Sequence, residues 1–190
     1  MIRGIIFDCF GVLYGGSFRT LVSLCPAGSV AELHDLSQSC DRGDISTEHF
    51  FEQVAVLIGR PVDELRAITS ASHTPNRDLI EFAGSLRGRF KVGLLSNIGL
   101  ATMDGVFPLA DRQQLFDAEV LSCDVRLVKP DPRIFTLMAE RIGLAPEECV
   151  MIDDLAENCA GADAAGMQSI QHITNEQTKE LLYNVLHRRR

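Results

Sequence analysis

The sequence lacks the cysteine and histidine spacings of zinc sites and of disulfide-rich domains. Its six cysteines are scattered without a C-x-x-C pair, and its five histidines show no H-x-x-x-H spacing. In a chain of 190 residues this pattern predicts reduced, mostly buried thiols. We expect Cys9 to be a buried apolar residue rather than a nucleophile, because neighbouring residues of a strand point to opposite faces of the sheet.

Long apolar runs are lacking as well. No stretch approaches the roughly 20 apolar residues that a membrane span needs, and no charged segment followed by an apolar run opens the chain. Together with the reduced thiols, these absences lead us to expect a cytoplasmic protein without a membrane partner.

Basic residues are scarce. The chain has 18 lysines and arginines against 26 aspartates and glutamates, and its net charge of −8 argues against nucleic acid as a partner. The one basic cluster is the run 187–190, which we expect to be a solvated chain end.

What remains is the composition of a globular α/β protein. Apolar residues make up 46% of the chain, and short apolar runs alternate with segments of helical period, which is typical of a parallel sheet. The predicted strands are residues 2–8, 90–96, 118–121, 149–153 and 168–172. The predicted helices between and after them are residues 78–86, 132–142, 157–165 and 175–186.

Residues 15–77 break this alternation, since they contain helical segments and no strand-like run. The sequence therefore predicts a core formed by residues 1–14 and 78–190, with residues 15–77 as a helical cap inserted after the first strand.

Three helices are expected inside the insertion. One begins at a predicted capping box, Ser29 to Glu32, and the others span residues 47–58 and 63–69. Phe50 and Phe51 are expected to form part of the cap's own core rather than to stack on a substrate.

Polar side chains follow four of the predicted strands: Asp8, Ser96, Lys129 and the pair Asp153 and Asp154. Ligands of parallel α/β sheets bind beyond the carboxyl ends of the strands, so these side chains are expected to converge. Two carboxylates at adjacent strand ends repel each other unless a hard cation lies between them, and Mg²⁺ prefers such oxygen ligands. A metal, a lysine and a hydroxyl together favour phosphoryl transfer, in which a carboxylate can itself attack phosphorus.

Four segments in this order resemble the motifs of the haloacid dehalogenase (HAD) superfamily. They are Asp8-Cys9-Phe10-Gly11-Val12-Leu13, Leu94-Leu95-Ser96-Asn97, Lys129-Pro130-Asp131-Pro132, and Ile152-Asp153-Asp154 with Asn158. The resemblance covers residues 2 to about 172 and implies a Rossmann-like, three-layer α/β core with a small helical cap that closes over the substrate. The stretch 43–46 is similar to caps of the phosphatase-like branch.

The resemblance also implies roles for these residues. Asp8 would be the nucleophile and a ligand of Mg²⁺, and the other ligands would be Asp154 and the backbone carbonyl of Phe10. The implied catalytic and substrate-binding residues beside Asp8 are Ser96, Asn97 and Lys129, and the implied partners behind the metal ligands are Asp153 and Asn158.

Phe10 is a departure from the family pattern. Phosphatases of the family usually carry at this position an aspartate that protonates the leaving group and then activates water, a contribution of about 10²–10⁴-fold. Tyr14 is a weak substitute, because a phenol with a pKa near 10 is a poor acid at neutral pH. Arg126 stands where members of the family often have glycine, and we expect it to be a surface residue rather than one that narrows the phosphate pocket.

Three functions remain open at this point. The first is a Mg²⁺-dependent phosphatase of a small phosphorylated metabolite, and the second is a metal-independent 2-haloacid dehalogenase, whose branch of the family carries an aromatic residue at the position of Phe10. The third is a non-catalytic domain that binds a phosphorylated ligand. The cap carries no motif that identifies a substrate, and nothing in the sequence indicates an oligomeric state.

Overall fold

The structure, a computed structural model, describes residues 1–187, so most of the basic run at the end of the chain, residues 188–190, lies outside the described residues. The strands are β1 (Gly4–Phe7), β2 (Lys91–Ser96), β3 (Ala118–Leu121), β4 (Cys149–Asp153) and β5 (Gln168–Gln171). The helices are α1 (Phe18–Leu24), α2 (Val30–Asp41), α3 (Thr47–Ile58), α4 (Val62–Ser72), α5 (Arg77–Leu86), α6 (Met103–Val106), α7 (Leu109–Leu115), α8 (Ser122–Val125), α9 (Pro132–Arg141), α10 (Ala156–Ala164) and α11 (Asn175–His187).

The five strands form one parallel sheet in the order β3-β2-β1-β4-β5. β1 is the central strand, and Phe7 at its end is level with Leu94 of β2 and Ile152 of β4. Asp8, the residue that follows β1, therefore lies between the ends of β2 and β4.

Apolar layers cover both faces of the sheet. Ile5 and Phe7 of β1 pack into a cluster with α5 and α11, whereas Ile6 between them faces a second cluster with α9 and α10. This alternation of side chains along a strand that is buried on both faces gives three layers. The predicted α/β, Rossmann-like architecture is confirmed.

The five strands predicted from the sequence are present, and each boundary lies within two residues of its prediction. The short helices α1, α6, α7 and α8 were not predicted, because segments of four to seven residues are too short to display a helical period. Within residues 1–187, no helix has the length and hydropathy that crossing a membrane requires.

The prediction of a capping box at Ser29 is wrong, because the side-chain hydrogen bond that defines it is not formed. The helix does begin at Val30, but the Ser29 side chain makes no cap hydrogen bond. Ser29 ends a 3₁₀ turn (Ala27–Ser29), where its backbone N–H donates to the carbonyl of Pro26 and its φ of −111° and ψ of 2° depart from the extended conformation of a capping residue. Ser46 and Asn76, in contrast, cap α3 and α5 by accepting from the backbone N–H of His49 and Leu79.

Helices α1 to α4 lie between β1 and α5 and share an apolar cluster of their own. Phe50 is buried in this cluster and Phe51 packs against it, as the sequence indicated. The division into a core of residues 1–14 and 78–190 and a cap of residues 15–77 stays a prediction.

The cysteines agree with the expectation of reduced thiols. All six are free, and five of them, including Cys9, are buried. Burial raises the pKa of Cys9, and the adjacent charge of Asp8 raises it further, so this thiol is held in its neutral form.

Gly161 of α10 packs against the loop that carries Lys129. A Cβ atom on Gly161 would lie 2.2 Å from the carbonyl oxygen of Pro130 and 3.0 Å from Cε2 of Phe135. We expect Gly161→Ala to lower the free energy of unfolding by about 1–3 kcal/mol, the usual cost of overpacking, measured by urea denaturation.

Gly105 is the matched control, since it is also helical and a Cβ there would meet nothing within 4 Å. Gly105→Ala is expected to be neutral or slightly stabilising. Equal urea midpoints for the two variants would contradict the close packing at Gly161.

Candidate active site

The ends of β1 and β4 place three aspartates side by side. The backbone N–H of Asp8, the first residue after β1, donates to the carbonyl of Ile152 at 2.9 Å. Asp153 is the last residue of β4 and Asp154 follows it. Carboxylate oxygens of the three residues lie within 4.8 Å of one another.

Lys129 lies at the centre of this group. Its Nζ is 2.8 Å from Oδ1 of Asp8 and 2.5 Å from Oδ2 of Asp153, and it donates to the carbonyl of Leu95 at 3.3 Å. Its side chain is 1% exposed, so the ammonium is removed from water and neutralised by its partners alone. The lysine predicted to reach inward from the loop after β3 does so.

Asn97 fixes the loop of Lys129. Its side-chain Nδ2 donates to the carbonyl of Lys129 at 3.0 Å, and its Oδ1 accepts from the backbone N–H of Lys129 at 2.8 Å. The amide of Asn97 therefore joins the loops that follow β2 and β3. A direct contact of Asn97 with substrate stays a prediction.

Ser96 is the last residue of β2 and is fully buried. Its Oγ lies 3.4 Å from the carbonyl oxygen of Asn97, at the weak limit of a hydrogen bond. The hydroxyl is thus held at the strand end with a weak partner that a stronger acceptor can replace.

Asp153 and Asp154 have different surroundings. Oδ1 of Asp153 accepts from the backbone N–H of Leu155 at 3.0 Å and from Nδ2 of Asn158 at 2.9 Å, while Oδ2 accepts from Lys129. Both oxygens of Asp153 are therefore engaged by protein donors. The Asp154 carboxylate is 17% exposed and contacts the guanidinium of Arg19 at 3.3 Å.

The loop after β1 brings backbone close to Asp154. Gly11 has a φ of +95°, and a Cβ on it would lie 2.4 Å from Cγ of Asp154. Only glycine combines this backbone conformation with the space that the carboxylate occupies. The loop containing Phe10 and Gly11 therefore packs directly against the carboxylate of Asp154.

The charges of this group are unbalanced. Burial raises the pKa of Asp8 to about 7; the charge of Lys129 opposes this rise and the charge of Asp153 adds to it. Burial lowers the pKa of Lys129, but the charges of Asp153 and Asp8 outweigh it and hold that pKa above its ordinary value. Burial and the charge of Asp153 raise the pKa of Asp154. Three carboxylates around one buried ammonium can accommodate a divalent cation, whose oxygen-ligand preference they satisfy.

Phe10 faces the insertion. Its ring centroid lies 4.9 Å from that of His73, and Nε2 of His73 is 3.3 Å from Oγ of Ser17. Tyr14 packs on Phe107 with ring centroids 5.0 Å apart, and burial raises the pKa of its phenol. The expectation that Tyr14 is a poor acid is therefore strengthened.

Arg126 is exposed and has a φ of 56°. This conformation favours glycine, which gives a backbone reason for the glycine that the resemblance leads us to expect at this position. The expectation of a surface arginine is confirmed.

One charged residue near the site had no signal in the sequence. The guanidinium of Arg19, in α1, contacts the carboxylate of Asp154. The two residues are 135 positions apart in the sequence, so no local pattern could have revealed the contact.

Two curated relatives match most of the chain. The acyl-CoA dehydrogenase family member 10 of Mus musculus is 30% identical over 190 residues, which cover 89% of this chain but 18% of the mouse protein. The sesquiterpene phosphatase astK of Aspergillus oryzae is 26% identical over 179 residues, which cover 91% of this chain and 90% of that protein.

A solved structure supports the same fold. A HAD family enzyme from Bacteroides thetaiotaomicron, determined in complex with magnesium and inorganic phosphate, superposes with a TM-score of 0.74 over 95% of this chain and 99% of that one, at 21% sequence identity.

The sequence model of one protein family matches most of the chain. The family of haloacid dehalogenase-like hydrolases matches residues 2–166, which include β1 to β4 with the aspartates, the serine and the lysine at their ends. The chain belongs to the haloacid dehalogenase-like hydrolases.

Proposed function

We propose that this hydrolase is a Mg²⁺-dependent phosphatase of a small phosphorylated metabolite, with Asp8 as the nucleophile. The observation that carries this proposal is the arrangement of Asp8, Lys129 and Asp154: a buried carboxylate held by a buried ammonium beside a second, more accessible carboxylate. Such an arrangement can accept both a cation and the phosphate of a substrate.

The residues fit a magnesium ion. We assign Asp8, Asp154 and the backbone carbonyl of Phe10 as its ligands, while Asp153 stays behind them because its oxygens are already engaged by protein donors. Asn158 holds Asp153 in this position. When bound, the metal would offset the excess negative charge and withdraw electrons from a phosphate oxygen.

Nucleophilic attack and binding of the phosphate are assigned to three side chains of the site. Within residues 1–187, the contacts of the Asp8 carboxylate with the Cys9 N–H and with Lys129 are both to Oδ1, which leaves Oδ2 to attack phosphorus and form an aspartyl phosphate. Lys129 stabilises negative charge on the transferred group, and Ser96 donates its weakly engaged hydroxyl to a phosphate oxygen.

The known relatives agree with this proposal. A relative of nearly the same length is a phosphatase by name, and the Bacteroides enzyme of the same fold was determined with magnesium and phosphate. Neither the substrate of the fungal relative nor the dehydrogenase name of the mouse protein identifies the substrate of this chain.

Asp8→Asn tests the nucleophile. The amide cannot attack phosphorus, so we expect the Mg²⁺-dependent hydrolysis of p-nitrophenyl phosphate to fall by at least about 10³-fold. The matched control is Asp163→Asn, an exposed aspartate of α10 outside the site, which should retain full activity.

The other two functions give different results in the same assay. Release of halide from 2-chloropropionate in the presence of EDTA, without phosphatase activity, would identify a dehalogenase. Tight binding of inorganic phosphate without turnover on a panel of phosphate esters would identify a binding domain. Either result would overturn the proposal.

Phe10→Asp tests the departure from the family pattern. A carboxyl at this position can protonate a poor leaving group, so the variant should hydrolyse alkyl phosphates faster than the wild type. p-Nitrophenyl phosphate, whose leaving group needs little protonation, should gain less. An unchanged ratio of kcat/KM for the two substrates would contradict this account of Phe10.

A further inference from the structure

The segment that leads into α1 packs against Phe10. A Cβ on Gly16 would lie 3.9 Å from Cβ of Phe10. Oγ of Ser17 is 3.3 Å from Nε2 of His73, and the ring of His73 packs on that of Phe10 with centroids 4.9 Å apart. Residues 16 and 17 are therefore held beside the position where a catalytic acid is expected.

Arg19 extends this segment to the carboxylates of the site. It lies in the first turn of α1, and its Nη2 is 3.3 Å from Oδ2 of Asp154. Gly11, the residue after Phe10, packs on the same carboxylate. Residues 16–19 therefore contact Phe10 at one end and Asp154 at the other, which places the guanidinium on the side of the site where Phe10 lies.

The guanidinium of Arg19 has donors to spare. Its side chain is 81% exposed, and its contact with Asp154 engages one of the two terminal nitrogens of a group that has five N–H donors. A divalent cation and the ammonium of Lys129 would together offset the charges of the three aspartates. The charge of Arg19 would then be available to a further anion, one that the substrate brings into the site.

The residue at position 10 restricts the leaving group. Phe10 has no proton to give, burial lowers the pKa of His73 so that its imidazole is neutral at pH 7, and burial raises the pKa of Tyr14. A leaving alkoxide is a strong base, and its protonation contributes about 10²–10⁴-fold. A leaving phosphate group needs no proton, since the second pKa of a phosphate monoester is about 6.

We propose that the substrate is a diphosphate monoester, and that Arg19 binds the inner phosphate group, which leaves when the terminal one is transferred. This inference rests on the proposed phosphatase function and names its substrate class. The inner phosphate meets both conditions, because it is an anion for the guanidinium and it leaves without a proton. Arg19 is thus a specificity-determining residue that stabilises the leaving anion through charge-assisted hydrogen bonds.

The atoms balance without an acid from the protein. In the first half-reaction, Oδ2 of Asp8 bonds to the terminal phosphorus, and the bond between that phosphorus and the bridging oxygen breaks. The bridging oxygen keeps the electron pair and leaves as part of a phosphate monoester dianion. In the second, water attacks the phosphorus of the aspartyl phosphate, the bond to Asp8 breaks, and inorganic phosphate leaves with both protons of the water.

Four substrates separate the charge of the leaving group from its basicity. Methyl diphosphate has a second anionic group and a weakly basic leaving group, whereas p-nitrophenyl phosphate has only the weakly basic leaving group. The leaving oxygen of 3-phosphoglycerate is basic, although this substrate has a second anion, and glycerol 3-phosphate has neither property. We expect kcat/KM of the wild type to be highest for methyl diphosphate and at least about 10²-fold lower for glycerol 3-phosphate.

Arg19→Gln tests the contact with the leaving anion. We expect kcat/KM for methyl diphosphate to fall by about 10–100-fold, the usual range for a hydrogen bond to a charged group. The values for p-nitrophenyl phosphate and glycerol 3-phosphate should stay nearly unchanged. Arg19→Lys, which keeps the charge, should retain part of the activity that Arg19→Gln loses.

Arg60→Gln is the matched control. Arg60 is an exposed arginine of the insertion that pairs with Glu64. The eleven residues of α4, a length of roughly 16 Å, separate it from His73 beside Phe10. This variant should leave the turnover of all four substrates unaffected.

Inhibition tests the same contact without turnover. Methylenediphosphonate is a diphosphate analogue that cannot be hydrolysed, and methylphosphonate has a single anionic group. With Mg²⁺ in excess over both, methylenediphosphonate should be the stronger competitive inhibitor of the wild type. Arg19→Gln should weaken its binding and leave that of methylphosphonate unchanged.

Several results would overturn the inference. An equal loss for all four substrates in Arg19→Gln, or a loss that more Mg²⁺ restores, would show that Arg19 acts on Asp154 rather than on the substrate. Turnover of 3-phosphoglycerate or glycerol 3-phosphate as fast as that of methyl diphosphate would exclude the diphosphate class. If the wild type hydrolyses none of the four, or Asp8→Asn retains full activity, the proposed function itself fails.

Discussion

The ammonium of Lys129, held between the carboxylates of Asp8 and Asp153, is the interaction on which the site depends. Removing one partner of a buried ionic group typically costs about 3–5 kcal/mol, because the remaining charges stay out of water. The parallel register of β1 and β4 brings the two aspartates together, and the close packing of Gly161 holds α10 against the lysine loop. Fold and site are therefore stabilised by the same contacts.

Much of this arrangement could be predicted from the sequence, since it follows from local patterns. Apolar runs of four to seven residues gave the strands, and the polar residue that ends each run gave Asp8, Ser96 and Asp153. A parallel sheet aligns its strand ends, so residues far apart in sequence were expected to meet. Lys129 followed from the same rule, because its loop returns from β3 on the same edge.

The remaining contacts could not be predicted because no local rule encodes them. Arg19 reaches the site from a helix whose orientation depends on how the insertion packs, and it carries no motif. Ser29 shows the reverse failure: a correct local pattern was overridden by the 3₁₀ turn that leads into the helix. The reason for a glycine at the position of Arg126 is its backbone conformation, a φ of 56°, which no local sequence pattern encodes.

Asn97 has a consequence for how ligands are selected. Its two hydrogen bonds to the backbone of Lys129 keep Ser96 and the lysine at a constant separation before any anion arrives. The entropy of arranging these groups is lost during folding rather than during binding. Under the proposed function, anion recognition is thus a rigid property shared by every ligand, and discrimination among ligands has to come from groups outside the loops of Ser96 and Lys129.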